Sequence, residues 1–253
     1  MNIVVLVKSI PDPNGDAELG ADFLVKRDGE GALDPGDEYA VEAALQLAEA
    51  SEGEVTVISM GPDGAVSAIR RALSMGAHRA VLVTDDALRG SDVLGTARVL
   101  AAAIARAPFD LVLTGVESTD GYTGTLPMTV AELIGVPAVT FARKIDANDG
   151  GIRVERQTEA GYDVVESALP ALATVTAAAT EPRYPTLKGI MGAKQKPLET
   201  LSLAELELTG DDVVPTQRVA SVEPAPQKGP GEVVQGDAAA GRVADLLAEA
   251  KVI

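Results

Sequence analysis

The residues best suited by type and spacing to chemistry lie in the run Glu117-Ser118-Thr119-Asp120-Gly121-Tyr122-Thr123-Gly124-Thr125. Gly121 and Gly124 let backbone come close to a bulky anion, and Ser118, Thr123 and Thr125 add hydroxyl donors. A helix is expected to start directly after the run, so its free N–H groups and positive dipole end would face the same space. The chemistry indicated is phosphate binding, with Asp120 able to accept from a ribose hydroxyl or an adenine amine. An ordinary helix cap uses the same residue types. Neither G-x-x-x-x-G-K-S/T nor a strand-borne G-x-G-x-x-G is present, so a Walker ATPase or a standard dinucleotide site is not indicated.

A second stretch, residues 181–196, reads E-P-R-Y-P-T-L-K-G-I-M-G-A-K-Q-K. Prolines, exposed-looking apolar residues and cations stand side by side there, directly after a buried-strand pattern. This suits a docking loop, and an ordinary strand-to-helix connection is the alternative reading. The chain has no cysteine, which removes disulfides, thiolate nucleophiles, iron–sulfur clusters and Cys-type zinc sites. The one histidine, His78, sits between a helix and a strand pattern and is read as a solvent-facing turn residue, with no metal or catalytic role. If this protein handles electrons, it must use an organic cofactor.

With 38 acidic residues against 21 Lys plus Arg, the formal charge of −17 opposes binding to nucleic acid. The longest apolar runs, such as 99–105, fall far short of the roughly 20 residues of a membrane span, so no membrane insertion is expected. The first residues carry no basic leader or apolar signal segment, and a cytoplasmic location is expected.

A loop such as 117–125 needs a sheet to hold it. Residues 2–7 are apolar without alternation, as in a strand buried on both faces. Residues 23–27 and 31–33 flank Asp28-Gly29-Glu30 and read as a hairpin. Asp34 and Pro35 suit the cap and first turn of a helix whose stripe is Ala40, Ala44, Leu45, Leu47 and Ala48. Strands at 54–60, 79–84 and 110–115 alternate with helices at 65–75, 92–106 and 125–134. This alternation predicts a doubly wound, mostly parallel α/β sheet. Ligands of such sheets lie beyond the carboxyl ends of the strands, here at Val7-Lys8-Ser9, Asp34-Pro35-Gly36-Asp37, Met60-Gly61-Pro62 and 117–125.

After Pro137 the pattern turns to strands at 138–145, 152–157, 162–168 and 170–177, with hairpin chemistry at Asn148-Asp149-Gly150-Gly151, giving an antiparallel extension. One domain is expected over 1–208. An extended C-terminal arm, rich in Pro and Gly at 222–231, follows over 209–253. It ends in a helix at 238–251 whose stripe of Val243, Leu246, Leu247 and Val252 docks either on another subunit or on its own domain.

The string E-P-R-Y-x-x-L-x-x-I-M-x-A-K-x-K resembles the signature of the electron transfer flavoprotein beta subunit. The resemblance extends from residue 1 to about 205, through Leu6-Val7-Lys8, Ala40-Val41-Glu42-Ala43-Ala44, 71–77, Val154-Glu155-Arg156 and Leu169-Pro170-Ala171. It implies a Rossmann-like fold of the adenine nucleotide alpha hydrolase-like type. It also implies a carrier subunit without catalytic residues, paired with an alpha subunit that holds most of the FAD.

AMP would bind through Leu6, Asp34, Pro35, Gly36, Asp37, Met60, Asp120, Gly121, Tyr122, Thr123, Gly124 and Thr125. Leu187 would be the anchor gripped by acyl-CoA dehydrogenases and other flavin dehydrogenases of fatty acid beta-oxidation, with electrons passed on to a quinone-linked oxidoreductase. Ile190 and Met191 are expected to belong with Leu187 to the partner-recognition residues and to pack beneath the loop, and Arg183 to anchor it. Lys188, Lys194 and Lys196 form either a partner-steering patch or a merely solubilising one.

The sequence departs from relatives at Asp34, where many carry Asn, at Leu126-Pro127, and at Gln157, where Glu is common. In electron-bifurcating members of the family a second FAD replaces AMP. A stand-alone adenine-nucleotide sensor of the universal-stress-protein type would explain 117–125 but not 181–196. An ATP-cleaving enzyme lacks an obvious general base.

Overall fold

The computed structural model describes every residue except 16, 17, 30, 149, 224, 227, 228 and 230, with backbone alone at 237. Parts of the turns read at Asp28-Gly29-Glu30 and Asn148-Asp149-Gly150-Gly151, and of the 222–231 run, lie outside the described residues. In chain order the elements are β1 (Asn2–Leu6), β2 (Ser9–Ile10), β3 (Ala32–Leu33), α1 (Pro35–Ser51), β4 (Glu54–Met60), α2 (Val66–Met75), β5 (Arg79–Val83), α3 (Val93–Ile104), β6 (Leu111–Gly115) and α4 (Leu126–Ile134). There follow β7 (Ala138–Asn148), β8 (Gly151–Thr158), β9 (Gly161–Ala168), β10 (Ala171–Val175), α5 (Leu187–Ala193), β11 (Leu198–Leu201) and α6 (Ala239–Glu249). They divide into two compact units, Met1–Val219 and Ala220–Ile253.

In the first unit the main sheet, among the described residues, runs β11-β5-β4-β1-β6-β10-β7-β8-β9. It is parallel from β11 to β7, and β8 and β9 continue it antiparallel. Alternation along β1 makes two cores. Ile3, Val5 and Val7 pack with Val41 and Leu45 of α1 and Ile69 and Leu73 of α2. Val4 and Leu6 pack on the other face with Leu100 and Ile104 of α3 and Val130 of α4. Burying one such Leu or Ile side chain stabilises the fold by about 1.5–3 kcal/mol. Helices therefore cover both faces, as the alternation predicts.

Two sequence expectations need correction, and one strand is added to them. Residues 23–27 do not pair with 31–33. Val25 bridges Leu19, and Gly20 donates to the Leu24 carbonyl at 2.8 Å around a turn in which Phe23 has φ 62°. Pairing with the nearer neighbour closes a shorter loop at lower entropic cost, and β3 is left to pair with β2. β11 was not expected, because Leu-Glu-Thr-Leu is too short and polar to announce a strand. It nonetheless forms the parallel edge beside β5.

Residues 209–219 belong to the first unit instead of opening the arm. Val213 is buried, and Thr216 donates both its N–H and its Oγ1 to Asp92 Oδ2 at 2.7 Å. In the second unit, Arg242 on α6 pairs with Glu232 at 2.8 Å and with Glu249 at 3.6 Å.

Asp92 also caps α3 by accepting from Gly95 N at 2.9 Å. That bond, followed by those from Thr216, overrides partial burial and holds the carboxyl at about 2. A depressed folded pKa contributes stability above the unfolded value of 3.8, and this is lost as pH falls toward 2. Asp92→Ala is expected to lower stability by about 1–2 kcal/mol at neutral pH. In urea titrations the gap to the parent should close as pH approaches 2.

Candidate functional site

The order of the main sheet places its switch point at β1: the chain moves outward through β4 and β5, then returns to β6 on the other side. Beyond the carboxyl ends of these strands, three of the expected segments converge. Asp34 Oδ1 caps α1 by accepting from Gly36 N at 2.8 Å, while its Oδ2 accepts from Thr119 N at 2.7 Å and Thr119 Oγ1 at 2.8 Å. One carboxylate thus ties the start of α1 to the loop after β6. Gly115 makes the approach possible, since a Cβ there would stand 2.8 Å from Asp37 Oδ1 and 3.3 Å from the Gly36 carbonyl carbon.

The expected residues play unequal parts. Leu6 is buried in the α3/α4-side core and can offer the site mainly its backbone. Asp34 and Asp37 are buried, Pro35 is exposed and Gly36 half-buried. Met60 stands at the end of β4, half-buried against the same core as Leu6. Gly121, Tyr122, Thr123, Gly124 and Thr125 are all exposed, with Tyr122 at φ 46° and Gly124 at φ 62°. Tyr122 N and Gly121 N turn back onto the Ser118 carbonyl. Among the described residues, nothing accepts from the backbone N–H groups of Thr123, Gly124 or Thr125. Three successive free donors ahead of α4 are what a phosphate-sized anion requires.

Two cations that the sequence reading left out of the site complete it. Lys8 Nζ donates to Asp120 Oδ1 at 2.7 Å and to Ser118 Oγ at 3.1 Å. The Arg27 guanidinium binds Asp120 Oδ2 and, at 2.9 Å, the Ser9 carbonyl. Both Asp120 oxygens therefore already accept from cations within the chain. Burial, the largest single influence, raises the Asp120 carboxyl, but Lys8 and Arg27 together outweigh it and hold it below the usual carboxylate range. A lysine at the end of the first strand was a usable signal for Lys8. Arg27 is 93 positions from Asp120 and offered none.

Asp37 is the perturbed group of the cluster. Burial, then the charge of Asp34, push it up to about 8 against the pull of backbone N–H bonds from Lys8 and Gly115. Folding therefore takes up a proton between the ordinary value of 3.8 and about 8. A raised folded pKa means the contribution is full below the unfolded value and lost as pH rises through the folded one. The urea midpoint is expected to fall from pH 5 to pH 8, and Asp37→Asn, neutral throughout, should flatten that slope. An unchanged slope in the variant would show that Asp37 ionises normally.

The 181–196 stretch is half helix rather than loop. Thr186 caps α5 by accepting from Gly189 N at 3.0 Å. A Cβ on Gly189 would stand 2.5 Å from the Ser74 carbonyl oxygen, so only glycine lets α5 seat this closely on the end of α2. Arg70 donates to the Ala193 and Lys196 carbonyls at 2.5 and 3.0 Å. Lys196 answers by donating to the Leu73 and Ala77 carbonyls at 2.9 and 2.6 Å. Lys196 is thus a structural clamp at the end of α2, and burial lowers its pKa. Lys188 and Lys194 remain exposed.

Arg183 sits against α1, with Nε 2.7 Å from Glu42 Oε2 and NH1 2.6 Å from Glu49 Oε1. Against this fixed frame Leu187, Ile190 and Met191 are 75%, 51% and 66% exposed, and Tyr184 is 87% exposed. Ile190 and Met191 do not pack beneath the segment. Their spacing from Leu187 puts all three on one bare face of α5.

The structure defines a doubly wound α/β protein with, at its switch point, a loop of backbone donors unpaired among the described residues, and an exposed apolar helix face elsewhere. Residues 22–206 match the family model for the electron transfer flavoprotein domain. The electron transfer flavoprotein subunit beta of Mycobacterium tuberculosis is 41% identical over 264 residues, covering 100% of this chain and 99% of the relative. That of Bacillus subtilis is 35% identical, with 100% of both chains covered. Subunit CarD of the caffeyl-CoA reductase-Etf complex of Acetobacterium woodii is likewise 35% identical, with 100% of both covered. The chain belongs to the electron transfer flavoprotein beta-subunit family, whose work is electron transfer. Among the described residues, no helix is long and apolar enough to cross a membrane.

Proposed function

We propose that this chain is the beta half of a cytoplasmic heterodimeric electron transfer flavoprotein. It takes electrons from acyl-CoA and related flavin dehydrogenases and passes them to a quinone-linked oxidoreductase. The observation that carries the proposal is α5, a short helix pinned after its C-terminal end by Arg70 and Lys196 and preceded by Arg183 fixed on α1, which leaves Leu187, Ile190 and Met191 bare. An apolar anchor already fixed in place loses little entropy when a partner closes over it. Exposed Lys188 and Lys194 suit an acidic partner surface on a chain that is otherwise strongly acidic.

The loop at 118–125 supports a structural AMP. Free N–H groups at 123–125 would take the phosphate, and the ends of β1 and β4 would flank the remainder of the nucleotide. FAD, which supplies the redox chemistry when bound, is assigned mainly to an alpha subunit, and the chain contributes no catalytic residue of its own. Acid extracts of the chain purified alone should contain AMP and no stoichiometric FAD. A yellow, flavin-loaded single chain would contradict this division. In a second reading, a second FAD takes the place of AMP, as the resemblance implies for electron-bifurcating members of the family. The same extraction, done on the chain with its alpha subunit, distinguishes the two.

A further inference from the structure

Asp120 is the anomaly of the proposed nucleotide site. Its side chain is only 6% exposed, while Lys8 and Arg27, which bind its two oxygens, keep 38% and 31% of theirs. The carboxylate is sealed beneath two cations that each retain an open side. At 6% exposure, little of the Asp120 side chain is left for a ribose hydroxyl.

Both cations are held at the loop through Asp120. Lys8 Nζ lies 3.6 Å from where a Cβ on Gly121 would stand, against the backbone of the loop whose N–H groups at 123–125 are free. Arg27 is anchored to the loop through Asp120 and to the start of β2 through the Ser9 carbonyl.

We infer that Lys8 and Arg27 are the phosphate-selective residues of this site, and that Asp120 is an internal anion with which an arriving phosphate must share them. The inference rests on the adenine-nucleotide reading given above. A phosphomonoester carries close to two negative charges and several strong acceptor oxygens at neutral pH, against one charge and two oxygens for Asp120. Phosphate can therefore draw both cations toward itself without breaking either pair completely. Because Arg27 belongs to the segment before β3, occupancy of the site is linked to the position of that segment. Asp120 weakens phosphate binding by competing for the cations while holding them in place.

The test is isothermal titration of the nucleotide-free full chain with AMP and, separately, with adenosine. Asp120→Asn should raise the ratio of AMP to adenosine affinity about tenfold, and Arg27→Gln should lower it about tenfold, the usual scale for one charge-assisted hydrogen bond. Affinity for adenosine should hardly change in either. Equal weakening of AMP and adenosine by Asp120→Asn would make Asp120 a nucleoside ligand and overturn the inference. So would an unchanged ratio in Arg27→Gln, a variant that exchanges a partly exposed side chain and so tests the point even if Asp120→Asn folds poorly. A parent chain that binds neither ligand would sink the adenine-nucleotide reading itself, and the inference with it.

Discussion

Replacing Leu187 with alanine is expected to slow reduction by an acyl-CoA dehydrogenase about 10- to 150-fold at low dehydrogenase concentration. That range is the loss of one buried Leu side chain, roughly 1.5–3 kcal/mol, expressed as affinity. The effect should lie in the concentration dependence and disappear as the dehydrogenase saturates, because a docking contact stabilises ground state and transition state alike. Leu187 is 75% exposed and packs against no core, so melting temperature and nucleotide content should not move. Stopped-flow reduction over a range of dehydrogenase concentrations reads both parts. Equal rates in variant and parent would remove α5 from the docking surface.

Removing the cation that fastens this segment should cost stability as well as coupling. Glu42 on α1 is only 4% exposed at its side chain, and Arg183 satisfies it through Nε at 2.7 Å and NH2 at 3.0 Å. Arg183→Met leaves a buried carboxylate without its charge partner, which typically costs 3–5 kcal/mol. Gln46 still donates to Glu42 Oε1 at 2.8 Å, and Arg183 is itself a third exposed, so about 3 kcal/mol is expected. Adding Glu42→Gln to Arg183→Met should recover most of the loss, because it is the uncompensated charge that is costly. Urea midpoints of the two single variants and the double variant form the cycle. Additive losses would show that the pair is not coupled.

Much of the first unit was legible because its signals are local. Asp34-Pro35 and Gly76 mark helix ends, and the unbroken apolar runs of β1, β4 and β6 mark strands buried on both faces. What was not legible depends on contacts between distant residues. β11 exists because the edge of β5 offers it a ladder, and 209–219 joins the first unit because Asp92 and the α3 surface receive it.

The candidate site divides in the same way. Small and hydroxyl residues announced the loop at 117–125, but the neutralisation of Asp120 by Lys8 and Arg27 is purely tertiary. Lys196 reads from sequence as one more surface cation, and only the approach of α5 to α2 turns it inward onto the Leu73 and Ala77 carbonyls. Only the packing expected of Ile190 and Met191 beneath the segment fails, because the stretch reads as a loop where Thr186 starts a helix. Helical spacing swings both to the same open face as Leu187.

The most direct measurement is native mass spectrometry of this chain co-expressed with an electron transfer flavoprotein alpha subunit. The expected species is a one-to-one heterodimer that releases one FAD and one AMP. A chain that stays alone, or a heterodimer without bound adenine nucleotide in any form, would contradict the proposed function.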